Sequence, residues 1–130
     1  MTAGAVIAGI GCRRCVSSND IVALVHRALA AAPDRDVSLV ALAAPAFKEN
    51  ETGLREAAAQ LGITLILVDA ASLEAAQPRC VTQSPHAKEV HGLASIAEGA
   101  ALAAAGPQGI LLLPRIAASS VTCALARRPS

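Results

Sequence analysis

Val6-Ile7-Ala8-Gly9-Ile10-Gly11-Cys12-Arg13-Arg14-Cys15-Val16-Ser17-Ser18-Asn19-Asp20 is the stretch whose reading decides the fold. Val6 to Ile10 is an apolar, β-prone run, and Gly9 and Gly11 lead it into a turn that carries two arginines. A capping cluster follows, with Ser18 or Asn19 as the natural N-cap, and an amphipathic segment begins there. A strand, a loop of phosphate or carboxylate size and a helix N-terminus, in that order, are suited to holding an anion.

Working outward, apolar positions at Ile21, Val22, Leu24, Val25, Ala28, Leu29 and Ala32 fall on one helical stripe, so a helix is expected over 20–32, closed by Pro33. Val37 to Leu42 reads as a buried strand, and the segment 43–50 as a loop interrupted by Pro45. Asn50 is placed to cap a second helix with Leu54, Ala57, Ala58 and Leu61 inward and Gly62 as its stop. Ile63 to Val68 is a third apolar strand. Three strands alternating with two helices predict a parallel sheet with right-handed crossovers, whose loops after each strand share one edge.

The segment 69–94 is less regular, with a helical turn near Ser72 to Ala76 and a short helix opened by Ser84-Pro85 and ended by Gly92. Ser95-Ile96-Ala97-Glu98 matches the Ser-x-x-Glu capping box, and its Ala-rich helix runs to about Ala105 before Gly106-Pro107. Strands are expected at 109–113 and 121–126. The seven residues between them are too few for a parallel crossover, so these last two strands should be antiparallel. If the fourth strand is parallel to the first three, Arg115 reaches the same edge as Arg13, Arg14 and Lys48.

The chain has 130 residues, and residues 1–130 are read as a single α/β domain with a mixed five-stranded sheet, the first three strands parallel. Hydrophobic residues make up 54% of it with Phe47 as the lone aromatic, so there is no platform for stacking bases. The formal net charge is +1, far from the balance of a nucleic-acid binder. No apolar run approaches the roughly 18 residues of a membrane span, and the N-terminus lacks a basic leader, so a cytoplasmic protein is expected. Among four cysteines only Cys12 and Cys15 are close-spaced. A structural metal site would want a second pair, and none is expected. The Cys-x-x-Cys does suit a redox dithiol.

Arg14 stands where the third glycine of a dinucleotide fingerprint belongs, and no acidic residue ends the second strand, so no nucleotide cofactor is expected. What remains is an edge with Arg13, Arg14, Lys48 and Arg115 as donors, hydroxyls at Ser84, Ser119, Ser120 and Thr122, and carboxylates at Glu51 and Glu98. Guanidinium groups take carboxylates bidentately, so the set suits a polycarboxylate ligand, while solvated loop charges are the plain alternative. His86 and His91 flank the same region.

These motifs resemble a known family. Gly9-Ile10-Gly11-Cys12-Arg13-Arg14, Lys48-Glu49-Asn50-Glu51-Thr52-Gly53-Leu54, Ser84, Gly92-Leu93-Ala94-Ser95-Ile96-Ala97-Glu98 and Val121-Thr122-Cys123-Ala124-Leu125-Ala126-Arg127 are similar to the cobalamin-biosynthesis family formed by CobE and the C-terminal domain of CbiG. The resemblance implies a three-layer α/β/α fold and a corrin-pathway ligand, a macrocycle edged with acetate and propionate groups. Together with the edge read above, it makes Gly11, Cys12, Arg13, Arg14, Lys48, Glu51, Ser84, Ser95, Glu98, Arg115 and Thr122 the candidate ligand-binding positions. Its implied partners are a precorrin-type or hydrogenobyrinic-type tetrapyrrole and other enzymes of the pathway. In CbiG the domain is fused to others and the full protein opens a ring lactone; a chain of this length looks like the stand-alone branch, and the hydrolase activity is not carried across. The family usually has a small residue where Cys15 stands and Lys where Arg115 stands. An enzymatic role is left open, with Glu98, Glu51 and His91 as candidate bases, and a dithiol or metal module is the third alternative.

Overall fold

In the computed structural model, residues 4–33, 37–83, 93, 95–118 and 120–129 are described. Strand β1 (Gly4–Cys12) leads to helix α1 (Ser18–Ala31), and β2 (Val37–Pro45) leads through one 3-10 turn (Ala46–Lys48) to α2 (Thr52–Leu61). After β3 (Thr64–Val68) come α3 (Ala70–Ala76), a second 3-10 turn (Gln77–Arg79) and helix α4 (Ile96–Ala105). Strands β4 (Ile110–Ala117) and β5 (Val121–Arg127) complete the sheet. Its order is β3-β2-β1-β5-β4. The pairs β1·β2 and β2·β3 are parallel, whereas β5 runs antiparallel to both β1 and β4. The expected mixed sheet is therefore observed, and β4 is parallel to β1.

β1 lies at the centre because it is apolar on both faces. Val6, Ala8 and Ile10 pack with Ile21, Leu24, Val25 and Ala28 of α1 and Leu54 and Ala57 of α2. Ile7 faces the other way, into a cluster with Leu73 of α3 and Ala101 and Leu102 of α4. The three layers follow from this alternation.

The second layer comes unusually close. Gly9 pairs with Ala43 on one side and Ala124 on the other, a row of small residues under α4. A Cβ built on Gly9 would lie 2.0 Å from the Ala97 carbonyl oxygen and 2.6 Å from the Ala101 nitrogen. Both obstacles are helix backbone, which cannot step aside. Gly9→Ala is accordingly expected to destabilise the protein by about 1–3 kcal/mol or more, read as a lower urea midpoint; an unchanged midpoint would show that α4 has room to lift.

Several boundaries differ from expectation for local reasons. Ser17, not Ser18 or Asn19, caps α1, its hydroxyl accepting the Asp20 N–H at 3.1 Å. Glu51 rather than Asn50 occupies the N-cap position of α2, without a side-chain cap bond. β2 continues through Ala43, Ala44 and Pro45 because these residues find partners on β3. Pro45 is its last residue, where a missing N–H matters little. α3 starts earlier than expected, at Ala70, because Asp69 caps it by accepting the Ser72 N–H at 2.7 Å. β4 runs past Pro114 to Ala117, which its edge position permits. The helix expected from Ser84 to Val90 lies outside the described residues. Among the described residues no helix is long and apolar enough to cross a membrane.

Candidate functional site

The C-terminal ends of β1, β2, β3 and β4 and the start of β5 meet at one edge of the sheet. Lys48 follows β2, Arg13 and Arg14 follow β1, and Arg115 lies two residues from the end of β4. At the ordinary strand spacing, the tips of β2 and β4 are about 14 Å apart with β1 and β5 between them. Four cations are thus distributed across the edge.

The turn after β1 is held from both sides. The Arg13 N–H donates to the Ser120 carbonyl at 3.0 Å. The Cys15 N–H donates to Glu51 Oε2 at 2.9 Å. Cys15 has φ 60°, the left-handed region that a side chain disfavours, and the Glu51 bond helps hold it there. The Arg13 and Arg14 side chains are exposed, Lys48 and Glu51 half-buried. Among the described residues, none of these three cations forms an ion pair.

Cys12 is half-buried and feels both neighbours. Burial pushes its thiol up, Lys48 pulls it down and Glu51 raises it, with a net rise. A raised thiol is the reverse of what a redox dithiol needs. Burial also pushes Cys80 up to about 11, with Glu98 adding to the rise and Arg79 opposing it, and pushes Cys123 up to about 12. All four cysteines are free, and only Cys15 is exposed. Alkylation of the native protein at mildly alkaline pH should therefore modify Cys15 first and Cys123 only on unfolding; mass spectrometry showing Cys12 and Cys15 reacting together would contradict this.

Gly11 and Thr122 join the two halves of the edge. The Thr122 hydroxyl donates to the Gly11 carbonyl at 3.3 Å, and a Cβ on Gly11 would meet that hydroxyl oxygen at 2.6 Å.

The second group of expected site residues gathers at the N-terminus of α4. Ser95 caps the helix as expected, its hydroxyl accepting the Glu98 N–H at 3.2 Å. The reciprocal half of the capping box does not form. The Ser95 N–H donates instead to Gln77 Oε1 at 3.0 Å, and Gln77 Nε2 donates to the Ser95 carbonyl at 3.1 Å. Glu98 is thereby released for other work. Fully buried, its carboxylate accepts the N–H groups of Val81 at 2.8 Å, Thr82 at 2.9 Å and Arg115 at 2.9 Å, together with the Thr82 hydroxyl at 2.5 Å. Burial works to raise this carboxyl, but the Arg115 N–H, the Thr82 hydroxyl and N–H, and the Val81 N–H bring it below its ordinary value.

The expected site residues therefore fall into two groups on one edge: Cys12, Arg13, Arg14, Lys48 and Glu51 on one side, Ser95, Glu98 and Arg115 on the other. Ser84, His86 and His91 lie outside the described residues. Gln77, Val81 and Thr82 were not legible as site-shaping residues, since two of the three act partly or wholly through backbone groups. Among the described residues no group of three His, Cys, Asp or Glu side chains is placed to hold a metal ion.

An α/β sheet with a cationic loop edge and an Ala-rich helix on its central strand is the architecture here, and residues 6–126 match the family described as cobalamin synthesis G C-terminus. The chain belongs to this CobE/CbiG family of cobalamin-biosynthesis proteins. It is 34% identical over 121 residues to Protein CobE of a Sinorhizobium species, covering 93% of this chain and 79% of that protein. The fold is similar to the crystal structure of CobE, a protein from the cobalamin (vitamin B12) biosynthetic pathway, with TM-score 0.85 and 36% identity over 95% of this chain and 90% of that one. It is also similar to the cobalamin biosynthesis protein chiG from Agrobacterium tumefaciens, with TM-score 0.72 and 35% identity over 96% and 99% of the two chains.

Proposed function

We propose that this protein binds a precorrin-type or hydrogenobyrinic-type polycarboxylate tetrapyrrole at the loop edge. The observation that carries this reading is the placement of Lys48, Arg13 with Arg14, and Arg115 at the tips of β2, β1 and β4 along one sheet edge, with the arginine turn held by Ser120 and Glu51. A macrocycle with carboxylates around its rim presents several anions at once, and a row of separated cations matches it better than a single deep charge would. Membership of the cobalamin-biosynthesis family supports a ligand drawn from that pathway.

Binding without chemistry is the simpler form of this reading. A general base needs an accessible lone pair, and the Glu98 carboxylate already accepts four hydrogen bonds. Glu51 accepts one from Cys15 and is the better-placed carboxylate should a step be catalysed. Titration of the purified protein with hydrogenobyrinic acid, followed by its visible spectrum and by co-elution, tests the proposal. A saturable spectral change is expected; no change and no co-elution would reject it.

A further inference from the structure

We infer that Glu98 is a positioning residue for the cationic edge, acting on the ligand through Arg115 without touching it. The inference rests on the binding reading above and changes the part Glu98 plays in it. A carboxylate facing a polycarboxylate would repel it, whereas Glu98 is buried, its charge is turned to four protein donors, and no acceptor position is left to contact the ligand.

The geometry lies in how β4 is built. Its pairing with β5 is regular at Ile110 and Leu111, then shifts between Leu111 and Leu113 and again between Leu113 and Ile116. Pro114 has no N–H, and the Arg115 N–H leaves the ladder to reach Glu98 Oε2 on α4. The strand is thus broken at the residue that carries the cation, and the break is tied to a helix seated on β1 by the Gly9 contact. Bulges of this kind redirect a side chain at the rim of a site. The same carboxylate holds Val81 and Thr82, so one buried group aligns the start of α4, the 81–82 segment and the Arg115 backbone.

Glu98→Gln tests this, because an amide can keep one acceptor oxygen for Val81 and Thr82 but puts a donor where Arg115 needs an acceptor. Affinity for hydrogenobyrinic acid is measured for the wild type, Glu98→Gln, Arg115→Ala and the double variant. Each single substitution should weaken binding by about tenfold, and the double variant should be no weaker than Arg115→Ala alone. Multiplying effects in the double variant, or undiminished affinity in Glu98→Gln, would overturn the inference. Thr82→Val removes a hydrogen bond from Glu98 while leaving the Arg115 bond. It should lower stability and leave affinity unchanged; an affinity loss equal to that of Glu98→Gln would mean that general loosening, and not Arg115 placement, is responsible. If Glu98→Gln does not fold, hydrogen exchange of the wild-type chain decides: the Arg115 amide should be protected as strongly as the core of β1, and rapid exchange overturns the inference. Should Arg115→Ala bind normally while loss of Arg13 and Arg14 abolishes binding, the inference fails and the binding reading stands. No binding by the wild type removes both.

Discussion

Replacing Arg13 and Arg14 together by Ala is expected to lower affinity for hydrogenobyrinic acid by about 4 kcal/mol, roughly a thousandfold, at about 2 kcal/mol for each carboxylate left without its guanidinium. The fold should barely notice. Both side chains are exposed, and the bond that holds the turn comes from the Arg13 backbone N–H, which Ala retains. Stability should stay within about 0.5 kcal/mol of the wild type. Because the interaction is between charges at the surface, wild-type affinity should fall as salt is raised, and the double variant should respond less. Calorimetric titration at two ionic strengths reads both effects. Undiminished affinity would move the ligand away from this turn.

Glu98→Ala should be the most damaging single change to stability, on the order of 3–5 kcal/mol out of a total of about 5–15 kcal/mol. It strips partners from the Val81, Thr82 and Arg115 N–H groups and from the Thr82 hydroxyl, all in or beside a buried site. The effect has a pH signature. Folding lowers the Glu98 carboxyl, so its contribution is fully present above the unfolded value of about 4.3 and is lost as pH falls through the still lower folded value. Urea midpoints of the wild type and Glu98→Ala should therefore converge on acidification below about pH 4.3 and stay apart at neutral pH. A gap that persists unchanged in acid would mean that the carboxylate's charge is not what holds these donors.

Much of the edge was legible beforehand because it depends on strand direction. Once the βαβαβ alternation is read, Arg13, Arg14 and Lys48 have to share an edge; Arg115 joins them only on the condition, met here, that β4 runs parallel to β1. The cap at Ser95 was equally legible, being a contact three residues long. Glu98 shows where such reading stops. The Ser-x-x-Glu pattern implied that its carboxylate would turn back to the Ser95 N–H, but Gln77 takes that donor from 18 residues away. A capping box is a local preference of modest strength, and a tertiary partner that satisfies the same N–H removes the reason for it.

By itself, then, the sequence determined the layered α/β alternation, the parallel half of the sheet and the glycine-led arginine turn, since these depend on periodicity, capping and turn chemistry within a few residues, while the family came from the resemblance of motifs along the chain. Only the tertiary structure decided that β5 comes between β1 and β4, that α4 rests against Gly9, and that a buried carboxylate gathers donors 16 and 17 residues distant. The physical reason is range. Backbone preferences act over one turn of chain, whereas a buried charge takes whichever donors the finished packing brings to it, and leaving it without them would be too costly for the fold to persist.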